Sequence, residues 1–306
     1  MRLGRSPGDR RGNTALMERE RGEYGPIRTA LDRGVVTATI VSPPLNLVDG
    51  AFIGGLLGLL ADLEADPDVR AVVFISTDPD FFLMHGDVEQ LLGMVSTYDG
   101  FVDGPNVAAA TFERLHRAPF VTIGAIDGAA RGGGCEFLSA LDLRVGSQRT
   151  VIGQPEVAMG ILPGAGGSVR WPRLVGRAAA LDVLLTGRDV SAAEALALGW
   201  LQRLVPSDQV VDVALELAHA IAAMPAASIA AIKQVVDASL GVADDALTTE
   251  SDHLGRLMST GAHTAPMQRF LAAGGQTRSG ERGSLGPLID AMTRSAQPPE
   301  PPPVTS

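Results

Sequence analysis

The sequence predicts an α/β fold in which strand and helix alternate to about residue 205, after which helices alone follow. Three observations carry this. Apolar or β-branched runs at residues 35–41, 69–75 and 121–126 are separated by stretches with helical spacing. Two glycine-rich turns, Gly132-Gly133-Gly134 and Gly164-Ala165-Gly166-Gly167, each lead into a helix-like run. From Ser207 onward the pattern is amphipathic and helical, in two stretches (208–223 and 227–240) divided by Met224-Pro225.

Taken in order, residues 1–25 are rich in Arg, Glu and Gly with little apolar content and are predicted to be a disordered tail. Its arginines suit a transit peptide, but Asp9, Glu18, Glu20 and Glu23 do not, and Met17 is a second candidate start. The main body is expected over 26–205. Its first strand ends at Ser42-Pro43-Pro44. Phe52, Leu56, Leu59, Leu60 and Leu63 then mark a helix, closed by Asp66-Pro67 before the next strand. Asp87 reads as a helix cap. Residues 91–112 are the least patterned internal stretch, broken by Gly93, Gly100 and Gly104-Pro105. The strand at 121–126 stops at Asp127-Gly128, a helix runs through Leu141, and a strand follows at 142–145. A helix is expected over 168–179, carrying Arg170 and Trp171. Ser191 and Glu194 form a capping box, Gly199 is the stop, and Trp200 reads as core. A C-terminal helical region is expected over 206–275. Residues 276–306 read as a weakly structured tail ending in a polyproline-type run at 297–303.

Composition narrows the function. The chain has 306 residues, 45% of them hydrophobic, and a formal net charge of −10. That balance argues against a nucleic-acid or membrane-surface protein, which would carry a basic patch. No apolar run reaches the length of a membrane span. The single cysteine, Cys135, excludes an intrachain disulfide and fits a reducing, cytoplasmic setting. No histidine lies near it in sequence, so it reads as an apolar filler rather than a nucleophile. The five histidines show no metal-ligand spacing.

The chemistry concentrates at two places. After Gly132–Gly134 the N–H groups opening a helix have no intrahelical partner and can face developing negative charge. Glu136 stands one short turn inside that helix, and a second carboxylate, Glu156, follows twenty positions later in Gly153-Gln154-Pro155-Glu156. The turn is not a dinucleotide fingerprint, since GxGxxG is absent, nor a P-loop, since no GK[ST] follows.

In these residues (GxxxGGGCE over 128–136, GQPE over 153–156, GILPGAGGSVRWPRLVG over 160–176 and LTGRDVSAAEALALG over 185–199) the chain resembles the enoyl-CoA hydratase/isomerase, or crotonase, family. The resemblance covers about residues 34–270. It implies a ClpP/crotonase-like spiral of strand–strand–helix turns with a helical C-terminal region. It implies an acyl-CoA thioester substrate, with coenzyme A as part of the substrate and no separate cofactor. By the same resemblance Gly86 and Gly133 are backbone donors to the thioester oxygen. Glu136 activates a water, Glu156 exchanges a proton with the α-carbon, and Gly164 donates its N–H to that water. Met84, His85 and Gly132 complete the substrate-binding set. His85 departs from the family pattern, which has glycine there, and reads either as a space-filler or as an added polar group in the acyl pocket. A homotrimer or dimer of trimers is implied, with residues 251–270 between subunits. The lysine the family often has after the Gly-Asp loop is replaced by Val88-Glu89-Gln90, and its C-terminal basic cluster by residues 271–275. Arg131 and the tail arginines could replace them, or the acyl group could arrive on a carrier protein. Hydration is the leading expectation. Isomerisation, which needs one carboxylate, and a non-catalytic protein of the same fold are the alternatives.

Overall fold

The computed structural model describes residues 19–93, 100, 102–241 and 243–293. It opens with three antiparallel strands, β1 (Arg19–Tyr24), β2 (Ile27–Asp32) and β3 (Val35–Ile40). The helix α1 (Gly50–Ala65) begins where the Asp49 side chain accepts from Phe52 N, and it buries all five residues that marked it in the sequence. One unit then repeats three times: a strand in a large sheet, a short strand in a small sheet, and a helix. The first turn is β4 (Ala71–Ser76), β5 (Phe81–Leu83), α2 (Val88–Gly93) and α3 (Val107–His116). The second is β6 (Val121–Ile126), β7 (Ala129–Arg131) and α4 (Gly133–Ala140). The third is β8 (Leu143–Gly146), β9 (Val151–Gly153), a 3₁₀ turn at Glu156–Met159 and α5 (Gly167–Val175). Next come α6 (Arg177–Thr186), β10 (Asp189–Ser191), α7 (Ala192–Ala197) and β11 (Arg203–Leu204). The C-terminal helices are α8 (Val210–Ala222), α9 (Ala226–Ser239), α10 (Asp244–Ser259), α11 (Thr264–Ala272), α12 (Arg278–Glu281) and α13 (Gly286–Thr293).

The large sheet runs β1-β2-β3-β4-β6-β8-β11 and the small one β10-β9-β7-β5. From β3 to β11 neighbouring strands are parallel, as are β5, β7 and β9, so the chain climbs both sheets together as a spiral of strand–strand–helix turns. Parallel strands need cover on both faces, which is why β6 reads as an unbroken apolar run and is buried throughout. Val35, Ala71, Val73, Ile123 and Val145 pack under Val210, Ala214 and Ala218 of α8. Val36, Ala38, Val72 and Phe74 face Phe52, Leu56 and Phe137 on the other side.

Two devices fix α4, the helix that carries Glu136. Phe137 packs edge-on against Phe52, Phe74 and Phe112, with ring centroids 5.1–5.6 Å apart. Each such pair contributes about 0.5–1.5 kcal/mol beyond its buried area. At the other end the buried Arg144 donates to Leu138 O and Leu141 O, capping the helix's last carbonyls, and to Trp200 O.

The structure moves three sequence boundaries. The tail read over 1–25 is shorter: residues 19–24 pair with β2, the Tyr24 hydroxyl donates to Asp62 and Arg21 pairs with Asp66, contacts invisible in a short polar segment. Residues 1–18, with Met17, lie outside the described residues, as do 94–99 and 101 of the poorly patterned stretch. The single helix expected over 168–179 is two, because Gly176 (φ +80°) breaks it. The region read as a weak tail from 276 is built into the fold up to residue 293. Leu285, Leu288 and Met292 pack with Met159, Met267 and Phe270, and residues 294–306, which include the polyproline run, lie outside the described residues.

Candidate active site

The β7–α4 turn brings three loops together. Gly132 adopts φ +52° and ψ −126°, and a Cβ there would stand 2.9 Å from both Glu156 Oε1 and His85 Cβ. Its N–H donates to Gly153 O at 2.9 Å, which ties the turn to the end of β9. Gly133 is the first residue of α4, so its N–H has no intrahelical acceptor. Opposite it lies the loop after β5: a Cβ on Gly133 would be 3.3 Å from Gly86 N. The two expected donors are therefore neighbours. The Gly86 loop is held by a bridge to Val48, by Val48 N to His85 O (3.1 Å) and by Met84 N to Asn46 O (2.7 Å). The Met84 side chain, named as a substrate contact, is buried in a cluster with Leu45, Phe81 and Ala129 and acts as core.

Glu136 is buried, and its Oε1 accepts from Ala165 N (2.7 Å) and Gly167 N (2.8 Å) at the start of α5. The intervening and following N–H groups go elsewhere: Gly166 N donates to Glu250 Oε2 (2.7 Å) and Ser168 N to Glu250 Oε1 (2.9 Å). Glu250, on α10, is a third buried carboxylate that the sequence reading missed. Arg170 stands beside the pair; it donates to Ala165 O and to Glu113, leaving its Nε without a partner. Gly164 sits under α10: a Cβ there would lie 2.3 Å from Leu254 Cδ2, and its carbonyl accepts from Asn106 Nδ2 at 2.5 Å.

Glu156 follows β9 and is also buried. Between the two catalytic candidates lies the fully buried Gln154. Its side-chain amide, turned so that the nitrogen faces Glu156, lies 3.1 Å from both carboxylate oxygens. The position of a Cβ on Gly167 would be 2.9 Å from Glu136 Oε1 and 3.0 Å from the same amide. Burial pushes the Glu136 carboxyl up to about 7, while the Gly167 and Ala165 N–H groups and Arg170 pull it down. Burial, followed by the Glu136 and Glu250 charges, raises Glu156 well above the ordinary range. Glu250 is pushed up to about 8 by burial and by Glu136, against the Gly166 and Ser168 N–H groups and Arg170. With two N–H donors and Arg170 on its side, Glu136 therefore ionises before Glu156.

His85 is buried with its Nε2 3.0 Å from Glu281 Oε1 and its Nδ1 2.8 Å from Gly86 O, and its ring stands edge-on to Phe270. It is a polar link to the C-terminal segment rather than a simple filler. Arg131, considered for the coenzyme A phosphates, is 2% exposed and fully engaged by Asp189, Glu281 O and Gly283 O, so it cannot meet a phosphate. The one lysine, Lys233, is bonded to Asp142 and Phe120 O. Cys135 is buried and free, and burial drives its thiol far from ionisation, in keeping with a filler.

The two-sheet spiral of strand–strand–helix turns, with two buried carboxylates beside the glycine turns that open its helices, is the architecture of the hydratase/isomerase class. The comparisons agree. The family described as enoyl-CoA hydratase/isomerase matches residues 31–274, and the chain belongs to it, with the crotonase fold. A crystal structure from Streptomyces avermitilis, provisionally described as an enoyl-CoA hydratase, superposes with a TM-score of 0.79 at 32% identity, covering 89% of this chain and 100% of its own. Enoyl-CoA hydratases from Mycobacterium tuberculosis (TM-score 0.66, 27% identity, 76% and 99% covered) and Bacillus anthracis (0.66, 25%, 81% and 95%) are also similar.

Proposed function

We propose that this protein is an enoyl-CoA hydratase that adds water across the C2=C3 bond of a 2-enoyl-CoA thioester. The observation that carries the reading is the pair of buried carboxylates, Glu136 and Glu156, at the same β7–α4 turn where Gly133 stands against the Gly86 loop. Their proton affinities are driven apart, which assigns base and acid. Glu136, held by two N–H donors, ionises first and takes a proton from water as the water oxygen bonds C3. The C2=C3 electrons move toward the thioester, whose oxygen gains charge between Gly86 N–H and Gly133 N–H. Glu156, which holds its proton more strongly, delivers that proton to C2. Each positioned acid or base contributes about 10²–10⁴ in rate. The chain is expected to work in the cytoplasm as a homotrimer or dimer of trimers. The outward apolar residues Ile232 (64% exposed) and Val235 (69%) on α9 support a contact with a second copy there, rather than only at residues 251–270, where Met267 and Phe270 are used internally.

The test is to give wild type, Glu136→Gln and Glu156→Gln a 2-enoyl-CoA and a 3-enoyl-CoA and to follow the conjugated-thioester absorbance. Hydration predicts its loss from the 2-enoyl substrate in wild type and in neither variant. Wild type that only interconverts the alkenes is an isomerase. Wild type that acts on neither while an acyl-carrier-protein thioester is consumed moves the reading to a carrier-bound substrate.

A further inference from the structure

The C-terminal segment from Gln276 to Leu285 straps over the outside of the loop that ends at Gly86. Gln276 donates to Asp87 at 2.9 Å and accepts from Val88 N at 2.7 Å. Arg278 and Arg282 bind Asp80, Arg278 also binds Asp78, and Leu285 N donates to Asp189. The strap begins just beyond residue 274, where the family match ends. Its innermost side chain is Glu281, which has no exposed surface and touches one residue of the site, His85.

We propose that Glu281 is a positioning residue that acts through His85 to fix the Gly86 peptide, so that the strap sets the alignment of one of the two thioester-oxygen donors. The inference rests on the reading of Gly86 as such a donor. The Gly86 N–H belongs to the peptide whose carbonyl, His85 O, is held by Val48 N at 3.1 Å; in a trans peptide that directs the N–H away from Val48's amide. The carbonyl of the next peptide, Gly86 O, is held by His85 Nδ1 at 2.8 Å. Both peptides flanking the Gly86 α-carbon are thereby pinned, one by the main chain and one by the imidazole. The imidazole itself is set by Glu281 Oε1 at 3.0 Å, by the edge-on Phe270 ring and by the close approach of Gly132. Glu281 is set in turn: Gln276 N donates to Oε1, and Arg131 holds its carbonyl and lies 3.6 Å from Oε2. Burial opposes its charge, yet the His85 bond and the nearby cations hold its carboxyl below the ordinary range, so it stays an acceptor. A glycine, as the family has before the donor, has no side chain with which to make this link.

The test uses the full chain with Glu281→Ala, Glu281→Gln and Glu281→Asp. The thioester carbonyl stretch of a bound saturated acyl-CoA reports donor alignment without turnover, and steady-state hydration reports catalysis. Donor misplacement lowers rate by up to about 10²-fold. We expect Glu281→Ala to lose about 10- to 100-fold in kcat with KM little changed, and to lose part of the carbonyl downshift seen in wild type. Glu281→Gln, which keeps an acceptor for His85 and Gln276, should recover most of both. If Glu281→Ala does not fold, Glu281→Asp, which keeps the charge but draws the acceptor back, should show the same losses. A folded Ala or Asp variant with wild-type kcat and carbonyl stretch overturns the proposal, even if its melting temperature is lower. Wild type that shows no carbonyl downshift instead refutes the donor reading of Gly86 and this inference with it.

Discussion

Adjacent glycines at the start of α4 should differ in how the same substitution divides between stability and turnover. At Gly133 an added methyl would stand 3.2 Å from Val48 Cβ and 3.3 Å from Gly86 N. These contacts are tight, but a few tenths of an ångström of give at the Val48 side chain relieve them. Alanine also gains about 0.5–1 kcal/mol over glycine in a helix, so the stability change should be close to zero. The methyl nonetheless sits beside the nitrogen to which a charged thioester oxygen would approach within about 2.7–3.1 Å. Crowding that oxygen should cost about 10²–10³ in kcat, the usual effect of losing one donor, or about 2.7–4 kcal/mol of transition-state stabilisation. At Gly134 the methyl would lie 1.9 Å from Leu83 O and 2.4 Å from Leu83 C. Those are backbone atoms of β5 and cannot swing aside, so the helix itself must retreat. Overpacking of this kind costs about 1–3 kcal/mol or more.

The assay is urea denaturation with hydration kinetics on both variants. Gly133→Ala should keep its midpoint and lose turnover, and Gly134→Ala should lose both. If folded Gly133→Ala hydrates a 2-enoyl-CoA at the wild-type rate, the donor assignment at the α4 start is wrong.

Other outcomes follow from the same geometry. The rate should rise with pH through about 7 as Glu136 ionises and fall again at higher pH as Glu156 loses its proton, a bell measurable as kcat/KM against pH. Stability should run the other way. Carboxyls with raised folded values bind protons that the unfolded chain has lost, so their contribution declines as pH climbs from about 4.5 toward 7 for Glu136 and 8 for Glu250, and urea midpoints at pH 5 and 8 should show it less in Glu250→Gln. Glu250→Ala strands the Gly166 and Ser168 N–H groups, at about 1–3 kcal/mol each, and frees the loop that holds Glu136, so calorimetry should show a lower melting temperature and kinetics a lower kcat. Val235→Asp on α9 should shift sedimentation toward monomer, and an unchanged assembly would place the subunit contact elsewhere.

What the sequence shows well is local. The five apolar residues of α1 report their own period, Asp87 Oδ1 does accept from Glu89 N and Gln90 N, and Ser191 does cap α7 through Glu194 N. Gly199 follows α7 at φ +81°. What it hides is which charges are inside. Arg131 reads as a free cation immediately before the Gly132–Gly134 turn, yet its partners, Asp189 and the carbonyls of 281 and 283, are 58 to 152 positions away. Glu250 and Glu281 are not singled out in the sequence for the same reason: their partners are distant in the chain. Both carried a usable signal. Glu250 lies three residues after the buried Leu247 and four before Leu254, and Glu281 precedes Leu285, Leu288 and Met292 at steps of four, three and four. An acid on an apolar stripe is either a mistake or a buried carboxylate with dedicated partners.

The start of α5 explains why the site tolerates so much buried negative charge. A helix opens with four unpartnered N–H groups and a partial positive charge. Here Ala165 and Gly167 serve Glu136, while Gly166 and Ser168 serve Glu250, so two carboxyls divide one helix terminus between them. Arg170 is the nearest compensating cation, and Glu113 already draws on it. Glu136, Glu156 and Glu250 therefore cannot all ionise near neutral pH. Glu136 and Glu250 each hold two of the donors, and the Glu136 charge raises the proton affinity of both Glu156 and Glu250. Under the hydratase reading, Glu250 then has a chemical consequence although it touches no substrate. By sharing the α5 terminus it keeps the Glu136 loop in place. By remaining protonated beside an ionised Glu136, it adds no second negative charge there, while Glu156 stays the acid that water addition requires.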